Sequence, residues 1–160
     1  MKVLVLAGGN SSEREVSLNS GSAITAGLQR LGYEVSAIDP ASGHSLLDQS
    51  GKYLPKAAGE THAVPASAVS SEVALAMNSG KLEDIDIVFI ALHGGAGENG
   101  TLQNLLELCG KKYTGSNMTC SAVAMNKALT KRLMSTVNVR TPHWKLYNLD
   151  GAEPSREIID

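Results

Sequence analysis

Two carboxylates lie where a short apolar run gives way to a glycine-containing turn. Glu13 and Glu15 belong to the segment GGNSSERE at 8–15, which follows the apolar residues 3–7 and leads into a helical pattern. Such a carboxylate either interacts favourably with the dipole of the helix it begins or holds a cationic ligand group, such as a substrate ammonium. The residue types leave both alternatives open. The segment has neither the GxGxxG spacing of a dinucleotide-binding loop nor the G-x-S-x-G pattern of a nucleophilic serine.

A histidine follows the longest apolar run of the chain. His93 comes directly after residues 87–92 and opens the segment HGGAGENG, in which four glycines fall within seven residues. Glycines of this density let a backbone approach a ligand closely or adopt positive φ. His93 is either a hydrogen-bonded structural residue or a group that polarises a carboxylate or manages a proton in the same cleft as Glu13. No second histidine lies at metal-ligand spacing, so no metal site is predicted.

The stretch between Glu107 and Asp150 is basic. It contains no acidic residue and seven cationic ones, which are Lys111, Lys112, Lys127, Lys131, Arg132, Arg140 and Lys145. This is either a solvated face or an anion site. Few aromatic residues, a pI of about 6.1 and the lack of a recognised motif argue against nucleic acid, so a nucleotide or phosphorylated small molecule fits better. Lys127 is the first candidate for the anion contact, and an ordinary exposed lysine is the alternative.

Alternating strands and helices must position these groups. Apolar runs predict strands at 2–7, 33–38 and 86–92, with a minimal strand at 112–114 and another strand at 143–147. Helical spacing predicts helices at about 16–31, from 99 or 101 to 109, and at 119–136, whereas 41–82 reads only as a hairpin near 51–55 and a helix near 67–77. This order is typical of an α/β fold, a parallel sheet with helices on both faces. The loops with Glu13 and His93 would then meet at the carboxyl ends of the strands.

Length and composition exclude several classes of protein. The chain has 160 residues, 42% of them apolar, and a net charge of -2, which is ordinary globular composition. Its longest apolar run is six residues, where a membrane span needs about twenty. The N-terminal apolar run is also shorter than a secretory signal, so a cytoplasmic location is predicted. Cys109 and Cys120 lie among apolar neighbours and are predicted to be core thiols without chemistry.

Three motifs resemble those of the D-alanine–D-alanine ligases, ATP-grasp enzymes of bacterial cell-wall peptidoglycan synthesis. They are GGNSSEREVSLNSG at 8–21, ALHGGAGENGTLQNLLELCGKKYTGS at 91–116 and SAVAMNKALTKRLM at 121–134. The resemblance implies a Rossmann-like preATP-grasp domain over 1–118 and the start of the central ATP-grasp domain over 119–160. It also implies that ATP phosphorylates the carboxylate of a first D-alanine and that the amine of a second attacks the acyl phosphate. Cationic groups and Mg²⁺ would stabilise the developing charge.

The resemblance also implies roles for individual residues. Glu13 resembles the catalytic-site carboxylate that binds the amino group of the first D-alanine, and Val16 resembles the apolar contact to its methyl group. His93 resembles the histidine beside the substrate carboxylate, and Lys127 resembles a lysine that approaches the ATP phosphates. Asn99 and Asn126 stand where the family usually has aspartate, so each replaces a carboxylate by an amide.

Members of the family are considerably longer than this chain, and their remaining part supplies most of the ATP site, the Mg²⁺ carboxylates and a catalytic arginine. The resemblance therefore implies the N-terminal part of a ligase, inactive by itself. The alternative is a stand-alone, non-catalytic α/β module that binds a small amino acid or a protein partner. The resemblance further implies a homodimer.

Overall fold

The computed structural model describes residues 1–54 and 82–147. The helix predicted near 67–77 lies outside these residues. The chain divides into two compact units, Met1–Met125 and Asn126–Asp160. The domain boundary between 118 and 119 stays a prediction.

A three-stranded parallel sheet forms the centre of the first unit. It consists of β1 (Lys2–Leu6), β2 (Glu34–Ile38) and β3 (Ile87–Ile90), in the order β2-β1-β3. Leu6 pairs with both Ile38 and Ile90, so the three strands end at the same level. Strand β1 is buried along most of its length. After Lys2, its sequence is continuously apolar because a parallel strand covered on both faces has no side that faces water. All three strands were predicted, and each is one to three residues shorter than expected.

Helices cover both faces of this sheet, as predicted. Successive side chains of a strand point to opposite faces, and β1 accordingly divides its residues between two apolar clusters. One contains Leu4 and Leu6 with the buried Leu102 and Leu106 of α2 (Thr101–Leu108). The other contains Val5 and packs against α1 (Arg14–Arg30). The parallel α/β architecture is therefore confirmed.

The fully buried residues of helix α1 are small or carry a hydroxyl group, whereas its apolar residues Ile24 and Leu28 are partly buried against the same cluster as Val5. Ser17, Gly21 and Thr25, each four residues apart, are its buried positions. Val16 is 50% exposed, and Leu31, just beyond the helix, is 73% exposed. Small residues at this spacing let the helix backbone approach β1 closely, which brings its hydroxyl groups within reach of the strand ends.

A minimal strand and a short hairpin were also predicted. Tyr113 forms a parallel bridge with Val88, which confirms the minimal strand at 112–114. Leu47 and Tyr53 form an antiparallel bridge at the predicted hairpin, of which residue 55 lies outside the described part of the chain.

The single helix predicted at 119–136 is wrong. The structure has α3 (Met118–Met125) and α4 (Lys127–Thr136), separated at Asn126. Asn126 has φ -90° and ψ 88°, and its side-chain oxygen accepts a hydrogen bond of 3.0 Å from the backbone N–H of Leu129. Asparagine favours such a cap over a helix interior, because its side chain can replace the backbone as hydrogen-bond partner.

Two further predictions are wrong. No strand forms at 143–147. A strand needs a hydrogen-bonded neighbouring strand, and the described residues of the second unit form no other strand. Cys109 and Cys120 are exposed rather than core thiols. Cys109 follows the end of α2, beyond its last buried residue Leu106, and α3, which carries Cys120, has no buried residue.

The cap at Asn126 can be tested with two substitutions. We expect Asn126→Ala to destabilise α4 by about 1 kcal/mol, because the N–H of Leu129 loses its acceptor. Asn126→Asp keeps a side-chain oxygen in the same place and should retain the stability. Amide hydrogen exchange at Leu129 reports the difference directly. Equal exchange rates in the two variants would contradict the capping role.

Candidate functional site

A cavity of about 110 Å³ lies at the carboxyl edge of the sheet in the first unit. Loops after all three strands line it, with Gly9 and Ser11 following β1, Pro40 following β2, and His93 following β3 among the lining residues. Ligands of open parallel sheets collect at this edge. The sequence-predicted His93 is therefore part of the cavity, whereas Glu13 and Val16 are not among the residues that line it.

The loop after β1 is shaped by two glycines at positive φ. Gly8 has φ +93° and Gly9 has φ +75°. A Cβ on Gly8 would lie 2.8 Å from Oδ1 of Asp39, so glycine is required there both by conformation and by space. The N–H of Gly8 donates to Oγ of Ser17 at 2.8 Å, and the N–H of Gly9 donates to Oδ1 of Asp39 at 3.0 Å.

An ion pair between Arg14 and the buried Asp39 holds the same loop in place. Nη2 of Arg14 lies 2.5 Å from Oδ2 of Asp39, whose side chain is only 1% exposed. Nη1 of Arg14 also donates to the carbonyl of Gly9 at 2.8 Å, and Oδ1 of Asp39 accepts from the N–H of Ala41 at 3.0 Å. The hydrogen bond to Asp39 raises the pKa of Arg14 despite the opposing effect of burial. One ion pair thus joins the loops after β1 and β2.

Three serines join the loop after β1 and helix α1 to the end of β3. Oγ of Ser11 donates to the carbonyl of His93 at 2.5 Å, and Oγ of Ser17 donates to the carbonyl of Ala91 at 2.7 Å. Oγ of Ser20 lies 3.0 Å from Nε2 of the His93 ring. These hydrogen bonds were not predicted, because a serine pattern in the sequence indicates a nucleophile but not a partner distant along the chain.

Glu13 lies against the second glycine-rich loop. A Cβ built on Gly94 would be 2.9 Å from Oε2 of Glu13, so the carboxylate is close to the residue that follows His93. The N–H of Glu13 donates to Oγ of Ser11 at 3.1 Å, and Ser11 also contacts the carbonyl of His93. Glu13 occupies the N-cap position of α1 but makes no capping hydrogen bond with its side chain. Its carboxylate is exposed and available to a ligand.

Val16 and Lys127 occupy different surroundings. Val16 is half exposed and lies one helical turn beyond Glu13 on α1, so the two side chains share a face of the helix. Lys127 is exposed in the first turn of α4 and belongs to the second unit. Lys131 of the same helix lies 6.0 Å from the centre of the Trp144 ring, a cation–π contact.

Asn99 and Asn126 both accept hydrogen bonds with their side-chain oxygens. Oδ1 of Asn99 accepts from the N–H of Thr101 at 3.0 Å, and Oδ1 of Asn126 accepts from the N–H of Leu129 at 3.0 Å. A carboxylate oxygen accepts the same bonds. The amides therefore keep these local hydrogen bonds without the charge.

Within 1–54 and 82–147, no group of three or more His, Cys, Asp or Glu side chains could hold a metal ion. These residues do not fit a Mg²⁺ site. None of the helices in the described ranges is long and apolar enough to cross a membrane.

A parallel sheet whose loops line a cavity at its carboxyl edge is typical of an α/β domain that binds a ligand. A family model described as the D-ala D-ala ligase N-terminus matches residues 2–116. The chain therefore belongs to the D-alanine–D-alanine ligase family, which confirms the resemblance of its three motifs.

Relatives in sequence and structure agree with this assignment. The D-alanine–D-alanine ligase of Pediococcus pentosaceus is 39% identical over 96% of this chain and 48% of its own length. That of Aquifex aeolicus is 39% identical over 94% of this chain and 41% of its own length. The solved ligase of Coxiella burnetii has a TM-score of 0.64 at 32% identity, and covers 86% of this chain and 42% of its own. A Bacillus anthracis ligase complexed with ATP has a TM-score of 0.63 at 28% identity, and covers 100% of this chain and 45% of its own. The chain thus spans less than half the length of these relatives.

Proposed function

We propose that this chain is the N-terminal, substrate-binding part of an ATP-dependent D-alanine–D-alanine ligase and that its first unit binds the first D-alanine. Family membership and the names of the relatives support the reaction. The observation that carries the binding site is the meeting of the Glu13 carboxylate with the loop of His93, through Gly94 and Ser11.

The charges of an amino acid match the groups that meet there. The ammonium of D-alanine pairs with the carboxylate of Glu13 through charge-assisted hydrogen bonds. The imidazole of His93 donates to the D-alanine carboxylate, and Val16, exposed one turn along α1, contacts the methyl group. The ammonium, carboxylate and methyl groups of D-alanine thus each have a separate partner. Three separate contacts of this kind are needed to distinguish one stereoisomer from the other.

The proposed reaction has two balanced steps. The terminal phosphoryl group of ATP passes to the carboxylate of the first D-alanine, which gives an acyl phosphate and ADP. The amine of the second D-alanine then attacks the acyl carbon, phosphate leaves with the C–O bond electrons, and the nitrogen loses a proton. Glu13 and His93 hold the first D-alanine, and Lys127 in the second unit contacts the ATP phosphates. The described residues would not hold the Mg²⁺ that neutralises charge in such a transfer. We therefore expect the 160-residue chain by itself to be inactive as a ligase.

Peptidoglycan synthesis, a cytoplasmic location and a homodimer complete the proposal. The dimer rests on family resemblance alone. Sedimentation at tens of micromolar protein tests it, and a monomer would contradict it.

Calorimetric titration with D-alanine tests the role of Glu13. We expect Glu13→Ala to weaken binding by about tenfold or more, because a hydrogen bond to a charged group contributes about 1.5 to 3 kcal/mol. Glu15→Ala is the matched control, since it removes an exposed carboxylate two residues away without touching the Gly94 loop. Equal affinity of wild type and Glu13→Ala would refute the role of Glu13. Absence of D-alanine binding by the wild-type chain would refute the proposed substrate site in this unit.

A further inference from the structure

Three serines form hydrogen bonds to the segment at the end of β3, and these hydrogen bonds have different effects. Ser11 and Ser17 hydrogen-bond to backbone carbonyls, those of His93 and Ala91, and so fix the course of the chain. Ser20 forms a hydrogen bond with the imidazole itself, at 3.0 Å from Nε2. Among the described residues, the Ser20 hydroxyl is thus the group that forms a hydrogen bond with the His93 ring.

The helix places Ser20 in register for this contact. Ser20 follows the fully buried Ser17 by three residues, so both hydroxyl groups lie on neighbouring positions of one face of α1. Ser20 and His93 are both half buried. Hydrogen bonds in such partly desolvated surroundings are stronger than in water. A short serine side chain also loses little rotational freedom when it is fixed.

The contact has a chemical consequence because neutral imidazole carries a single N–H. The nitrogen that accepts a hydrogen bond leaves the proton on the other nitrogen. If His93 is to donate to a ligand carboxylate while Nε2 faces Ser20, the proton must be on Nδ1. The serine hydroxyl must then donate to Nε2.

We propose that Ser20 is a positioning residue for His93: its hydroxyl donates to Nε2, fixes the ring against α1, and holds the Nδ1–H tautomer that donates to the carboxylate of the bound amino acid. This inference rests on the proposed D-alanine site. It assigns Ser20 no contact with the substrate and no part in the chemistry, since Ser20 acts only through the imidazole.

Nitrogen NMR of the histidine rings tests the tautomer. The ¹⁵N-labelled 160-residue chain contains four histidines, and His93→Gln identifies the ring of interest. In the neutral form of the ring, we expect wild-type His93 to show an unprotonated Nε2 and a protonated Nδ1. The opposite tautomer in the wild type would overturn the proposal. This spectrum requires no variant of Ser20, so the test does not depend on whether such a variant folds.

Variants of Ser20 test the cause. Ser20→Ala is expected to shift the nitrogen resonances of His93 towards those of a free imidazole, and Ser20→Thr, which keeps the hydroxyl, to restore them. Ser12→Ala is the matched control, because Ser12 is an exposed serine of the neighbouring loop. His93 resonances that are identical in wild type and Ser20→Ala would overturn the positioning role.

Titration with D-alanine separates this inference from the proposed function. We expect Ser20→Ala to weaken D-alanine binding about fivefold, as for the loss of one net hydrogen bond, and Ser20→Thr to recover it. Unchanged affinity in Ser20→Ala would overturn the link between tautomer and ligand. If the wild-type chain bound no D-alanine while the tautomer still responded to Ser20→Ala, the proposed function would fail and the hold of Ser20 on the ring would stand.

Discussion

Replacing Arg14 with methionine is expected to lower the free energy of unfolding by about 3 kcal/mol, because removal of one partner leaves a buried charge uncompensated. The carboxylate of Asp39 is 1% exposed, and Arg14 supplies its only ion pair among the described residues. The N–H groups of Gly9 and Ala41 still donate to Oδ1, which limits the loss. Methionine keeps much of the length and apolar character of the arginine stem, so the change mainly removes charge and hydrogen bonds.

Urea unfolding of three variants tests this expectation. Arg30→Met is the matched control, since Arg30 is an exposed arginine in the last turn of the same helix. We expect it to cost less than about 1 kcal/mol, from the helix dipole alone. Adding Asp39→Asn to Arg14→Met should recover part of the stability, because the uncompensated charge disappears. A loss in Arg14→Met no larger than that in Arg30→Met would show that the pair contributes little.

Much of the fold could be predicted because two of its strands have the apolar sequences that are typical of a parallel sheet covered by helices. Strands β1 and β3 have continuous apolar sequences, and the glycines after them end the runs. The break between α3 and α4 could not be predicted from periodicity, because the helical spacing continues through Asn126 without a glycine or a proline. The exposure of Cys109 and Cys120 could not be predicted from the sequence either. Apolar neighbours in sequence do not reveal where the covered surface of the sheet ends.

The site was predictable where it depends on strand ends and was missed where it depends on distant pairs. Glu13 and His93 were identified because each follows an apolar run, and the parallel sheet brings such loops together. The contact of Ser20 with His93 joins residues 73 positions apart, and that of Arg14 with Asp39 joins residues 25 positions apart. An aspartate directly after β2 and an arginine at the start of α1 were the available signals, but their pairing required the register of the sheet.

We expect glycine-to-alanine substitutions in α1 to have opposite effects on stability at two positions. The substitution is expected to be destabilising at Gly21, where α1 lies close to the end of β1, and stabilising at Gly27. A Cβ on Gly21 would lie 2.4 Å from Cβ of Ala7 and 2.9 Å from the hydroxyl of Tyr53. Ala7, the residue after β1, is fully buried, and its Cβ is attached directly to the backbone, so relief of the clash requires displacement of α1. We expect Gly21→Ala to cost about 3 kcal/mol, the upper range of overpacking.

Gly27→Ala on the same helix should have the opposite sign. A Cβ on Gly27 meets nothing within 4 Å, so the gain in helix propensity of about 1 kcal/mol is retained. Urea unfolding compares the two variants, and effects of equal sign would contradict the close approach at Gly21. Because Gly21 adjoins Ser20, the displaced helix should also carry the Ser20 hydroxyl away from His93. We therefore expect D-alanine binding to weaken in Gly21→Ala and to stay unchanged in Gly27→Ala, which couples the packing of α1 to the site it positions.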